Sequence, residues 1–191
     1  MPPKVRRITK QTLIYVVDIV LDNVDPPIRR RVELAGDSTL EQVHYVIQAA
    51  MGWGNSHLHE FEHKGLSYGD PEPDGFNLES ETDTQLATLL GPGDSMTYTY
   101  DFGDNWKHTI AVHEVTQPEP GVTYPRVLEA ERACPPEDIG GPWQYPGVLE
   151  EARRNPDDHE LNWLLEIDPE DPLREDREKA LAILAWKPLA G

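Results

Sequence analysis

Cysteine is almost missing from this 191-residue chain, in which Cys134 stands alone. One thiol excludes an internal disulfide framework and points to a reducing compartment. No apolar run reaches the length of a membrane span, and the first residues lack the layout of a secretory signal. The expectation is a chain without membrane contact, in the cytoplasm. Cationic side chains are scarce: 17 Lys and Arg stand against 35 Asp and Glu, a net charge of −18. Residues 1–31 are an exception, with seven Lys or Arg and three acids; the remaining 160 therefore carry −22. Such an acidic body repels phosphate backbones, so nucleic acid is an unfavoured partner. Solubility accounts for the charge by itself.

Turn formers and aromatics are present in quantity. Eighteen Pro imply many short elements, and 38% hydrophobic residues with five Trp suffice for a core. One domain, with at most a small helical appendage, is expected at this length. The segment richest in chemistry is Tyr98–His108. Met96, Tyr98, Tyr100 and Phe102 alternate with polar residues, as do Trp106, His108, Ile110 and Val112 beyond Gly103-Asp104-Asn105. Two period-2 runs around a Gly-containing turn predict a β-hairpin with Asp101, Asp104, Trp106, Lys107 and His108 at its tip.

Ahead of it, Thr12–Val24 and Ile28–Leu34 read as two strands broken by Asp25-Pro26-Pro27. Arg29-Arg30-Arg31 cannot form a one-sided patch there, because alternate strand residues face opposite ways. Ser38 with Glu41 has capping-box spacing, and Leu40, Val43, His44, Ile47, Ala50 and Met51 follow at helical spacing up to Gly52. Residues 57–63 predict a strand with His57, His59, Phe61 and His63 on one face, then a turn at Lys64-Gly65 and a short strand 66–68. Residues 69–83 read as an acidic loop, with Asp83 capping a short helix to Leu90. Residues 117–125 form a Pro-rich linker, 126–133 are ambiguous, and 134–143 predict an ordered irregular loop. Residues 145–154, 159–166 and 172–186 predict short helices. The expected fold is α+β: a mixed, mainly antiparallel sheet with a hairpin–helix–strands core, β-grasp-like by analogy, and C-terminal helices packed on it. The expected segments are a basic leader 1–11, a domain 12–143 and a helical extension 144–191.

These residues resemble the plasmid pRiA4b ORF-3-like proteins. The likeness rests on Pro26-Pro27-Ile28 with Arg30-Arg31, Ile47–Trp53, Ser56–Phe61, Tyr98–His108, and Arg132–Asp138 followed by Gly140-Gly141. It implies an α+β domain, mobile-element-associated in some relatives, of unestablished biochemical role; a resolvase label in some members implies DNA association. Arg29 stands where many members have Trp. Ile139 stands where many have Cys, which leaves Cys134 without a second thiol.

Four features stand out. His57-x-His59 has strand spacing suited to a divalent transition metal, completed by Asp101, Asp104, His108, Cys134, Glu137 or Asp138. The alternative is that these histidines hydrogen-bond carboxylates and backbone to fix loops. Asp101-Phe102-Gly103 spells a kinase magnesium motif, but no other kinase element accompanies it. Cys134, beside two Pro and two acids, reads as a buried structural thiol rather than a nucleophile. Trp53, Trp106 and Trp143 read as core or pocket walls, and aromatic walls with acids suit a cationic or peptide ligand. The hairpin tip, the His57–His59 strand and the 132–143 loop, including Arg132, Glu137 and Asp138, are expected to converge, with a cavity between Trp106 and Trp143. The leading expectation is a noncatalytic module binding a protein or small molecule. A metal-dependent hydrolase using His57, His59, Asp101 and His108 is the alternative, and a DNA-associated protein the third.

Overall fold

The computed structural model describes residues 12–70, 78–132 and 134–155; the basic leader and the expected helices 159–166 and 172–186 lie outside them. Eight strands form one sheet: β1 (Ile14–Leu21), β2 (Ile28–Ala35), β3 (His59–His63), β4 (Leu66–Gly69), β5 (Glu79–Ser80), β6 (Ser95–Tyr100), β7 (Trp106–Thr116) and β8 (Arg126–Glu131). Their order is β5-β4-β3-β6-β7-β1-β2-β8. Every neighbouring pair is antiparallel except β4 with β5. Three helices complete the described chain: α1 (Leu40–Met51), α2 (Leu86–Leu89) and α3 (Gly141–Arg154). The α+β class and the hairpin–helix–strands order agree with the expectation. None of the described helices is long and apolar enough to cross a membrane.

Alternation along the strands makes one face of the sheet apolar, and α1 lies on it. Phe61, Tyr98, Tyr100, Trp106, Ile110, Ile19, Ile28 and Val32 are buried there with Leu40, Val43, Ile47 and Ala50 of the helix. The opposite face carries a cross-strand charge network. Asp18 accepts from Arg31 Nε and Nη2 at 2.8 and 2.9 Å, and Arg29 reaches Asp18, Glu129 and Glu131. The Arg31 hydrogen bond is the main reason the Asp18 carboxyl lies below the usual carboxylate range.

Arg30 is fully buried under α1. Its Nε donates to Ala50 O at 2.8 Å, in the last turn of the helix, and Nη1 donates to Arg29 O and Glu131 O at 2.9 and 3.1 Å. The negative end of the helix dipole offsets part of the cost of burying this cation. Gly52, at φ 81°, then ends α1 in the left-handed conformation and donates to Gln48 O at 2.9 Å.

Several local expectations shift. The capping box is Thr39 with Gln42, one residue later than the Ser38–Glu41 pair: Gln42 N donates to Thr39 Oγ1, and Thr39 N to Gln42 Oε1. Both pairs satisfy the spacing rule, and the helix starts where Leu40 reaches the core. Gln85, not Asp83, precedes α2; Asp83 instead accepts from Ser80 Oγ at 2.9 Å. Residues 126–131 pair with β2 as an edge strand. The helix expected from Tyr145 begins at Gly141, so Trp143 lies in its first turn and not in an irregular loop. Glu79–Ser80 adds a two-residue strand inside the expected acidic loop.

Arg30→Met should lower unfolding free energy by about 2–4 kcal/mol, because buried carbonyls at the end of α1 and on β8 lose their donor. Arg30→Lys should fall between, since a point-charge ammonium cannot reproduce the fork. Urea titrations of the three proteins check this; unchanged midpoints would contradict the anchoring role. Gly141 has φ 76°, and a Cβ there would overlap the Asp104 carbonyl oxygen. Gly141→Ala should therefore lower unfolding free energy by about 1–3 kcal/mol, read from the same urea titrations.

Candidate functional site

The first turns of α1 place Glu41, His44 and Tyr45 on one helix face, as their spacing requires. Together with Asn55, His57 and Leu58 after the helix, His59 and Glu60 of β3, Asp70, Leu78 and Glu81, and Phe102 of the hairpin tip, they enclose a cavity of about 250 Å³. His44 is buried at its floor. Its Nε2 lies 2.8 Å from Asn55 Oδ1 and its Nδ1 2.8 Å from the Tyr98 hydroxyl. An amide oxygen only accepts, so Nε2 carries the proton and Nδ1 accepts from Tyr98; Gln48 Nε2 in turn donates to that hydroxyl at 3.0 Å. Burial first, and the neighbouring His59 second, push the His44 pKa down to about 3.

The neutral His44 ring stacks on His59, with centroids 3.5 Å apart and planes 6° from parallel. His59 Nε2 is paired with Glu81 Oε2 at 2.8 Å. The start of α1 explains why a buried acid stands there. Glu41 N donates to Glu81 O and Leu40 N to Thr84 O, so the loop after β5 supplies acceptors for the helix's first donors.

A second group lies beside the cavity. Asp101 ends β6 at φ 56°, and its Oδ1 accepts from Gly103 N at 2.9 Å and Asp104 N at 3.4 Å. Oδ2 faces His57 Nε2 at 3.7 Å, and Asp138 Oδ1 lies 3.1 Å from the same nitrogen. The segment carrying Asp138 is held by four polar contacts. Trp53 Nε1 donates to Pro135 O at 2.8 Å, Gly54 N to Glu137 Oε2 at 2.9 Å, and Gly140 N to Asp104 Oδ2 at 2.9 Å. The Tyr100 hydroxyl donates to Glu137 and accepts from Ser56 N. Its pKa is raised, first by burial and then by the Glu137 hydrogen bond.

The expected site residues thus separate into groups. His57, Asp101 and Asp138 come together, His59 faces the cavity with Glu81, and Asp104 and Glu137 clasp the loop before α3. His108 and Trp106 do not join them. Both are fully buried, with the His108 ring edge against Trp53 at 5.3 Å and its Nδ1 3.1 Å from Trp106 O. Burial pushes the His108 pKa down to about 3. The expected metal set of His57, His59, Asp101 and His108 is therefore not assembled: strand alternation turns His108 into the core. His57 precedes β3 and does not share a strand face with His59. Arg132 is half-buried just beyond β8, and Cys134 is buried in the core. Trp143 is 76% exposed and Trp106 0%, so the cavity does not lie between them. Sequence reasoning missed His44, Tyr45, Glu81 and Phe102 as cavity residues. A His on the apolar face of α1 was a usable signal; Glu81 carried none, being one acid among several in a turn-rich stretch.

Two buried neutral histidines fix a pH dependence. Unfolded imidazole takes up its proton below about 6.5, whereas His44 and His108 stay neutral in the fold down to about 3. The contribution of these two histidines is complete above pH 6.5 and falls as pH drops toward 3, by up to about 1.4 kcal/mol per pH unit for each residue. Between pH 6.5 and 5, before most carboxylates titrate, urea midpoints should decline for the parent chain. His108→Gln should roughly halve that decline.

Comparisons with known proteins bear on the family and the fold. The profile of the plasmid pRiA4b ORF-3-like protein family matches residues 13–178. An uncharacterized protein, y4hQ, of Sinorhizobium fredii (strain NBRC 101917 / NGR234) is 42% identical over 130 residues, 66% of this chain and 66% of that protein. The chain thus spans just under two thirds of that relative's length. The crystal structure of a protein of unknown function, MM3350 from Methanosarcina mazei Go1, superposes with a TM-score of 0.74 at 32% identity, covering 81% of this chain and 89% of the other. With its residues 13–178 matched by that profile, this chain belongs to the plasmid pRiA4b ORF-3-like protein family.

Proposed function

We propose that this protein is a noncatalytic binding module whose ligand presents a compact organic cation, an amine or guanidinium, to the cavity between α1 and β3. The observation that carries the reading is the lining itself. Glu41, Glu60, Asp70 and Glu81 border a space of about 250 Å³ that no Lys or Arg borders among the described residues. With Glu81 engaged by His59, the other three carboxylates around a concave, partly apolar volume favour a cation over an anion. Tyr45 and Phe102 add ring faces, which attract ammonium and guanidinium groups.

Calorimetric titration of the full chain with agmatine, and with citrate as an anionic comparator, tests the reading. Agmatine should bind in the millimolar range or tighter, and citrate should give no heat. Glu60→Gln and Phe102→Ala should each weaken agmatine by about three- to tenfold without lowering thermal stability. Equal affinity for citrate, or agmatine binding indifferent to both substitutions, would overturn it.

A further inference from the structure

We propose that His57, Asp101 and Asp138 form a binding site for a divalent first-row transition-metal ion. One ligand atom from each lies within 4.8 Å of the other two. The nitrogen-to-oxygen separations, 3.1 Å to Asp138 and 3.7 Å to Asp101, bracket the roughly 3.4 Å edge of a tetrahedron with bonds of about 2.1 Å. Two edges of the group are thus near those of a coordination tetrahedron, and the third, between the carboxylate oxygens, is within 4.8 Å.

A second observation sets this group apart from an ordinary polar cluster. His57 Nε2 is closed off from solvent yet makes no hydrogen bond; its approach to Asp138 is close but misaligned for one. The His57 side chain is 28% exposed, but this nitrogen, 3.1 and 3.7 Å from two carboxylate oxygens, is shielded and has ion-pair contacts without an aligned hydrogen bond. Asp101 is oriented for the role. Its Oδ1 is engaged by Gly103 N and Asp104 N, while Oδ2 turns to His57. The His57 ring is steadied edge-on by Tyr100, with centroids 5.7 Å apart.

The donor set indicates the kind of ion. Imidazole nitrogen disfavours magnesium and calcium, which prefer oxygen throughout, and the absence of a thiolate from the three disfavours cuprous ion. One imidazole with two carboxylates suits zinc or manganese(II), and the two carboxylates balance the ion's charge. Asp138 lies on the open side, its side chain 72% exposed, so water can complete the coordination shell. The three ligands come from the segment after α1, the hairpin tip and the loop before α3. A bound ion would therefore add one more tie between segments already joined pairwise by hydrogen bonds.

The test uses the full chain, freed of metal by a chelator and dialysed, titrated calorimetrically with zinc chloride, manganese chloride and magnesium chloride. Zinc should bind at one ion per chain in the micromolar range or tighter, and magnesium at least about 100-fold more weakly. His57→Ala and Asp138→Asn should each weaken zinc by at least about tenfold, whereas His113→Ala, on the other face of the sheet, should not. Because Asp101 also shapes the hairpin turn, Asp138→Asn serves as the variant that keeps the fold. Saturating zinc should raise the melting temperature of the parent chain and leave that of Asp138→Asn nearly unchanged. No stoichiometric binding at about 1 mM zinc, or equal affinity in the parent, His57→Ala and Asp138→Asn proteins, would overturn the assignment. Because His57 also lines the cavity, the agmatine titration is run on the metal-free chain; its diagnostic substitutions, at Glu60 and Phe102, are not among the three ligands, so the two readings fail separately.

Discussion

A buried guanidinium holds the arrangement together. Arg30 is enclosed between the sheet and the last turn of α1, donating to Ala50 O above it and to Arg29 O and Glu131 O beside it. A cation in that position is costly unless its hydrogen bonds are met, and carbonyls at a helix C-terminus are suited to meet them. The contact fixes where α1 ends over the sheet and ties the edge strand β8 to the same point. Arg29 and Arg31, one residue to either side, project to the opposite face and join Asp18, Glu129 and Glu131. Three consecutive arginines thereby serve two faces.

The segment leaving α1 depends on that anchoring. Gly52 reverses the chain, Trp53 packs on Tyr100 with ring centroids 5.0 Å apart, and Gly54 and Ser56 are gripped by Glu137 and Tyr100. His57 is thus delivered to Asp101 and Asp138 by a short segment held at nearly every residue. The start of α1 is tied differently, its first donors being met by carbonyls of Glu81 and Thr84. That tie carries the Glu81 carboxylate to His59, and the stacked His44 closes the floor beneath. Both ends of one helix therefore set the cavity: the C-terminal end through a buried cation, the N-terminal end through orphan donors that required acceptors.

Much of this was legible along the chain. Apolar alternation marked the β6–β7 hairpin, helical spacing marked α1, and Gly52 marked its end, because each is a local pattern repeated over several residues. Opposite projection of the three arginines came from strand geometry alone. The motif-bearing segments around His57, Asp101 and Asp138 were also recognisable, since Gly, Asp and Trp crowd there beyond what turns need. Less readable were boundaries set by competing local options, such as Thr39 over Ser38 as the helix cap and Gly141 over Tyr145 as the start of α3.

By itself, then, the sequence determined the α+β class, the hairpin, the central helix and which segments hold polar chemistry, since backbone periodicity and turn preference act over a few residues. Which side chains meet was a tertiary matter. His108 reads like its neighbours at the hairpin tip, yet pairing of Tyr98 with His108 turns it into the core. Glu81 reads like any solvated acid, yet closing the first turn of α1 buries it against His59. Trp143 reads like a wall, yet the helix that begins at Gly141 leaves it facing outward. Each outcome depends on strand order and on contacts between residues far apart in the chain, which no local pattern encodes.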